Sequence, residues 1–265
     1  MLSNNHKQAA FKPQKLKAIS LLIATGLCAC QTSFAEEALI TDRPDFTEST
    51  QTVAPGLVQI EAGLTYTDTG LDQFELPEAL FRIGLIENLE LRIEVPNYTT
   101  VDTPGDNVDG FSDGSIGVKV HLADQNGALP DLGLIASASL PVGKEAFSSD
   151  NVDPTLTLAW AYDLDSGYSI GGNVGVTSSD GGGDDRFLET AYSFAAGIPL
   201  TESWSAYVEY YGLSFLSSDE DSEHYMNGGF TYLVNNNLQL DWRIGFGLTD
   251  NSDDLFTGAG LSVRF

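Results

Sequence analysis

From Val58 to its last residue the chain alternates apolar and polar side chains with a period of two, in about twelve runs of roughly ten residues. The last run sets Leu255, Thr257, Ala259, Leu261, Val263 and Phe265 on one face and Phe256, Gly258, Gly260, Ser262 and Arg264 on the other. Termini normally fray, so an apolar register kept up to the final aromatic residue is expected to be paired or recognised. Outer-membrane barrels close their last strand on their first. A terminal aromatic of this kind resembles the signal that the barrel-insertion machinery reads, and is expected to serve as one.

A soluble β-sandwich also alternates, because one face of each sheet is buried and the other wet. Three features favour a barrel. The polar faces are rich in Gly, Ser, Thr and Ala, with isolated ions, rather than in the Lys and Glu of a solvated face. Trp160, Tyr162, Tyr168, Tyr192, Trp204, Tyr210 and Trp242 fall towards run ends, as interfacial girdles do. Short connections such as Glu87-Asn88 and Asn235 to Asn237 alternate with longer ones, and the long ones collect acids including Asp68, Asp72, Asp109, Asp150 and Asp253. The expected fold is therefore an all-β, antiparallel transmembrane barrel of twelve strands, with short turns and both termini on the periplasmic side and an acidic rim outside.

The start of the chain supplies the route. Lys7, Lys12, Lys15 and Lys17 precede an apolar stretch from Ala18 to Ala29 and a small-residue site at Ser33 to Ala35. Residues 1–35 are expected to be a secretory signal peptide, too short in its apolar core to span a bilayer. Cys28 and Cys30 lie inside it, so the body carries no disulfide; lipidation of Cys30 is the competing expectation to cleavage after Ala35. The chain has 12 Lys and Arg against 38 Asp and Glu, a net charge of −26, and the leader holds four of those cations and no acid. Nucleic acid is excluded as a partner. Outer-membrane lipid and lipopolysaccharide are the expected surroundings.

The inward faces carry the chemistry. Glu61, Glu78, Arg82, Glu90, Arg92 and Glu94 crowd the first three strands, with Lys119, Glu209, Asp241, Arg243 and Arg264 further on. In a narrow barrel such charges must pair or line water, so they form either a stiffening salt-bridge network or a solute-selecting constriction, and the two are compatible. The acidic loops offer weak cation ligands at Asp184, Asp185, Asp219 and Asp221, without the ordered spacing of a calcium loop. No cofactor motif, nucleophile elbow or phosphate loop is present, and His121 and His224 lack metal-ligand spacing. The chain does not read as an enzyme; a lipid hydrolase using His121 or His224 is a remote alternative.

Before the first strand stands Leu39-Ile40-Thr41-Asp42-Arg43-Pro44-Asp45-Phe46-Thr47-Glu48-Ser49, leading through Val53, Pro55 and Gly56 into Val58-Gln59-Ile60-Glu61. With the run from Leu80 to Tyr98 and the strand from Gly114 to Leu122, this resembles the transporter-like outer-membrane barrel family called "putative meta-pathway of phenol degradation". The resemblance implies passage of small aromatic or apolar compounds. Physically, Asp42-Arg43-Pro44-Asp45 sets three charges around a residue with no N–H and is no membrane strand. Residues 36–56, with Asp42, Arg43, Asp45 and Glu48, are expected to form a periplasmic plug or cap for the barrel of residues 57–265. Its charges are expected to meet Arg82, Arg92 and Glu94, and Arg264 its acids. The sequence thus points to a passive outer-membrane channel for a small-molecule solute, with a structural or adhesive barrel that binds cations on its loops as the alternative.

Overall fold

The computed structural model describes residues 37–180, 186–216 and 221–265. The leader with Cys28 and Cys30, and the weak cation candidates Asp184, Asp185 and Asp219, lie outside the described residues. Fifteen strands form one antiparallel sheet: β1 (Val58–Asp68), β2 (Asp72–Leu76), β3 (Leu80–Ile86), β4 (Leu89–Glu94), β5 (Tyr98–Val101), β6 (Val108–Phe111), β7 (Gly114–Ala123), β8 (Asp131–Leu140), β9 (Pro154–Asp163), β10 (Ser169–Asp180), β11 (Arg186–Pro199), β12 (Trp204–Leu216), β13 (Glu223–Asn235), β14 (Leu238–Gly247) and β15 (Leu255–Arg264). Three of its spans are interrupted. β1 pairs with β3 at Val58 to Glu61 and with β2 at Thr65 to Asp68, and β4 with β5 and β7 with β6 are likewise two halves of one line. The sheet is therefore a twelve-span barrel. It closes where β15 pairs with β1, from Gln59↔Arg264 to Asp68↔Leu255, and Phe265 adds a last pair of main-chain bonds with Val58 at 2.8 and 3.1 Å.

The period of two decides which side chain meets which solvent. Leu158, Val174, Val208 and Phe246 are exposed on the outer face, while Lys119, Glu61 and Glu90 are fully buried inside. This inverts a soluble core, as lipid outside and polar groups inside require. Trp204 packs on Tyr232 at 4.7 Å, with Tyr162 and Tyr168 at the same end as the short turns. Tyr66 and Tyr98 mark the other end, each donating to a carboxylate, Asp72 or Asp109, at 2.6 Å.

The interruptions fall at residues 77–79, 95–97 and 112–113, side by side in adjacent spans. Pro77 and Pro96 cannot donate to a ladder, so side chains take over. Asn97 Oδ1 accepts from Glu78 N at 2.8 Å, Ser112 Oγ from Asn97 N at 3.0 Å, and Asp113 Oδ1 from Val142 N and Gly143 N at 3.0 and 2.9 Å. The wall has a seam here, held partly by side chains where a regular sheet uses backbone alone.

The connections differ in detail from the sequence expectation. Asp68 and Asp72 do not flank a long loop: β2 already pairs with β1, leaving only residues 69–71 between them. Asp109 belongs to β6 rather than to a loop. The short strands beyond the seam hid from periodicity because the prolines break the register.

Val174→Arg places a cation on the lipid face midway along β10. It should destabilise the folded barrel by about 2–4 kcal/mol, read from urea unfolding in lipid vesicles, with Val174→Leu close to wild type.

Candidate functional site

Residues 38–56 precede β1 and form no strand, yet they bond to inward-facing side chains of strands on every side of the barrel. A chain that reaches β3, β8, β11 and β14 at once lies across the interior. Its backbone carries N–H and C=O groups that no ladder satisfies, and leaving them unpaired at this depth costs several kcal/mol each. The inward ions answer that need. Glu61 accepts from Asp42 N at 3.0 Å and Arg43 N at 3.0 Å. Glu209 accepts from Phe46 N and Thr47 N at 2.8 and 2.7 Å, and from the Thr47 hydroxyl at 2.6 Å. Glu90 accepts from Val53 N at 2.8 Å. Arg82 donates to Ile40 O and Gln51 O at 3.1 and 2.7 Å, and Arg243 to Pro44 O at 3.1 Å.

Asp42 is the hub. Its carboxylate accepts from Arg92 at 2.5 Å and Lys119 at 2.8 Å, lies 3.3 Å from Arg82, and turns back to accept Ser49 N and Ser49 Oγ at 2.9 and 2.6 Å. Burial opposes its charge, but Arg82, Lys119 and Arg92 outweigh burial and hold the carboxyl well below the usual range. Glu48 makes a two-pronged pair with Arg92 at 2.9 and 2.8 Å. Burial nevertheless pushes it up to about 7, against the pull of Arg92. Burial, reinforced by the Glu209 carboxylate, drives Asp45 well above its usual range. Arg43 reaches the opposite wall, pairing with Glu78 at 2.9 Å and Asp241 at 3.2 Å. Gly63 and Gly260 make room for it: a Cβ on either would lie 2.3 or 2.4 Å from the guanidinium.

The sequence-derived residues thus fall into two groups. Glu61, Arg82, Glu90, Arg92 and Lys119 form one buried network with Asp42 and Glu48, and Glu78, Asp241 and Arg243 form a second around Arg43. Glu209 stands apart as a backbone acceptor. Glu94 departs from the expected pairing. It is exposed beside the seam and accepts from Ser115 Oγ at 2.7 Å. Arg264 donates to Asn237 Oδ1 at 2.9 Å, while Asp42 and Glu48 take their cations from Arg82, Arg92 and Lys119 instead. Asp221 is exposed on its loop.

One grouping escaped the sequence reading. His121 Nε2 lies 2.9 Å from Asp124 and its Nδ1 3.6 Å from Asp131 and 3.3 Å from Thr50 O. The signal was the His121-Ala123-Asp124 spacing across the hairpin from Asp131. These groups are close enough for a metal ion, but the two carboxylates face opposite nitrogens of one ring, which suits a clamp on the Thr50 backbone better than a shared ion. His224 Nδ1 lies 2.8 Å from the Tyr210 hydroxyl. Among the described residues neither imidazole ring is bonded to a serine hydroxyl.

Among the described residues, two cavities border the crossing segment. One of about 310 Å³ runs from Asp42, Pro44 and Asp45 to the seam at Ala79, Leu80 and Val95. Another of about 200 Å³ lies between Phe46, Tyr211 and Phe256.

A closed lipid-faced barrel with an ionic interior is the architecture of an outer-membrane β-barrel protein. The family described as "Putative MetA-pathway of phenol degradation" matches residues 41–265, and the chain belongs to it. Among solved structures, the fold is shared with an outer membrane channel from Pseudomonas putida F1 (TM-score 0.65, 12% identity, 82% of this chain and 98% of that one). It is also shared with the NanC porin (0.55, 9%, 78% and 100%) and with the translocator domain of the autotransporter NalP from Neisseria meningitidis (0.51, 10%, 79% and 87%). Comparison with curated protein sequences gives no match.

Asp42→Ala strips the fully buried Lys119 of its 2.8 Å partner. The folded state should lose about 3–5 kcal/mol, measured by denaturant unfolding, whereas Glu94→Gln should change it by under about 0.5 kcal/mol. The pH dependence has two limbs of opposite sign. The depressed Asp42 contributes stability above its unfolded pKa of about 4, lost as pH falls through its lower folded value. The raised Glu48 contributes stability below its unfolded pKa, lost as pH rises through about 7. Asp45, raised likewise, adds to this second limb, so the thermal midpoint should be highest at mildly acid pH and Glu48→Gln should lessen the decline towards neutral pH.

Proposed function

We propose that the protein is an outer-membrane channel that passes small solutes passively, with residues 38–56 as a plug that narrows its lumen. The observation that carries this reading is the cavity of about 310 Å³ left between that segment and the seam. Its floor is charged, by Asp42, Asp45 and Glu61, while Ala79, Leu80 and Val95 line its wall. An apolar solute halted by the ionic network meets there the band of wall where three adjacent spans are interrupted. A sideways path into the bilayer through the seam spares it the charged constriction, and it favours aromatic or apolar compounds, the class that the family description suggests. Outer-membrane placement, with β1 starting and β15 ending on the periplasmic side, is supported by the short turns at that end. The insertion machinery engaging β15, and lipopolysaccharide around the loop end, complete the setting. The structural or adhesive alternative leaves the cavity without a use.

Purified protein in planar bilayers and in liposomes tests this. Wild type should show low ion conductance and admit phenol, and deletion of residues 38–52 should raise conductance at least about tenfold as the lumen opens. Asn97→Ala, which loosens the seam, should speed phenol entry without raising conductance. Absence of solute flux from both wild type and the deletion variant would sink the channel reading.

A further inference from the structure

Beyond the seam, towards the loop end, the sheet is not closed. Among the described residues every other strand has a ladder partner on both edges, but β6 pairs with β5 alone. Its second neighbour would be a continuation of β8, which pairs with β7 below the seam and stops at Leu140, opposite Gly114. Residues 141–149 fill that place without forming a strand and carry one short 3-10 turn at Glu145–Phe147. A bare strand edge at this depth leaves carbonyls unpaired, so it has to be covered. Lys144 covers it twice: its N–H donates to Phe111 O at 2.8 Å and its ammonium to Asp109 O. Gly110, between those two carbonyls, has no side chain and so leaves room for the Lys144 stem.

One carboxylate holds this loop to the seam. Asp113 Oδ1 accepts from Val142 N and Gly143 N at 3.0 and 2.9 Å, and Oδ2 accepts from Ser148 Oγ and Ser149 N at 2.9 and 3.2 Å. The loop is thus pinned near both its ends by a residue that also lines the larger cavity. All four donors meet one side chain, so a single change of its rotamer frees them together. The base of the loop stays fastened when that happens. Asp153 N donates to Ser139 Oγ at 2.9 Å, Ser139 N to Asp153 O at 3.1 Å, and the Asp153 carboxylate pairs with Arg186 at 2.7 Å. The surroundings are apolar, with Phe111 56%, Leu140 41% and Val142 64% exposed.

Two paired strands part only by breaking a row of main-chain bonds, whereas this loop leaves β6 once one carboxylate and one lysine let go. We propose that residues 141–149 are the door of the sideways path and that Asp113 is its latch. When Asp113 turns away, the loop swings off β6 about its base at Asp153. The cavity of about 310 Å³ then gains an outlet to lipid between β6 and the end of β8. Asp113 is a positioning residue for passage: it sets how often the outlet exists and does not select the solute by charge, which suits an apolar solute. The door rests on the channel reading, for which it supplies the moving part.

A disulfide across the door tests this. Residues 36–265 contain no cysteine, and a Cβ added at Gly110 would lie 2.9 Å from Lys144 Cβ. Disulfides span Cβ atoms about 3.5–4.5 Å apart, so Gly110→Cys with Lys144→Cys ties the loop to β6 after a small shift, with bond formation read on a non-reducing gel. Ethylbenzene uptake is measured in outer-membrane vesicles from cells making the protein, whose lipopolysaccharide leaflet by itself slows apolar solutes. The oxidised double variant should take up at least about tenfold less than wild type. Reducing the same sample should restore uptake to the wild-type level or above, and ion conductance in planar bilayers should be equal in the two states. Asp113→Ala should raise uptake at least about threefold and open the chain at Lys144 to trypsin, while the heat-modifiable gel shift of the folded barrel persists. Equal uptake by the oxidised and reduced forms overturns the door and leaves the channel standing. Uptake by folded Asp113→Ala no faster than wild type overturns the latch. Wild-type vesicles that take up no more than vesicles without the protein fault the channel reading, and the door with it.

Discussion

Every unpaired main-chain group inside a membrane barrel needs a partner that water cannot reliably supply, and the interior of this protein is arranged around that demand. Strands satisfy one another, but the non-repetitive chain from Leu39 to Val53 cannot. Its N–H groups end on Glu61, Glu90 and Glu209, and its carbonyls on Arg82, Gln59 and Arg243. Each of those side chains carries its charge or amide inwards because of strand parity alone. The same charges then need compensation, which Asp42, Arg43 and Glu48 provide. Backbone satisfaction and charge neutralisation are thus one problem solved by one set of residues. Replacing such a network by apolar groups would leave the backbone of the crossing segment stranded, so the usual argument that buried ion pairs are dispensable does not transfer to this interior.

The seam follows from a similar constraint. Proline removes a ladder donor, and Pro77 and Pro96 sit in neighbouring spans, so the sheet loses regular pairing across a band rather than at a point. Asn97, Ser112 and Asp113 restore the bonds with side chains, which are freer to rearrange than backbone held in a ladder. A site of low local stability in an otherwise continuous wall is where movement is least costly. That the larger cavity ends there links the weak band to the interior.

The barrel was legible in the sequence because a period of two survives over most of the spans, and parity alone named the inward ions. Where prolines intervene the period resets, so the short strands Asp72–Leu76, Tyr98–Val101 and Val108–Phe111 read as loop. The crossing segment was visible as a charged, proline-containing stretch that could not be a strand. Its partners were legible only as a class. Choosing Glu78 and Asp241 for Arg43 requires the depth of each residue in the barrel, which depends on how each strand is offset from its neighbours, and on glycines at positions 63 and 260 that leave the guanidinium its space. The aromatic row from Phe46 through Tyr225 joins a residue of the crossing segment to Tyr211 and Tyr225, a cross-strand pair of β12 and β13 far along the chain, so no local pattern announces it.

The long reach of these contacts also ties the two ends of the chain together. Arg43 bonds to Asp241 across 198 residues, and Thr47 to Glu209 across 162. The full set of partners for the crossing segment exists only when β12, β14 and β1 stand in one closed wall, so these contacts raise the contact order of the fold and are expected to slow its formation.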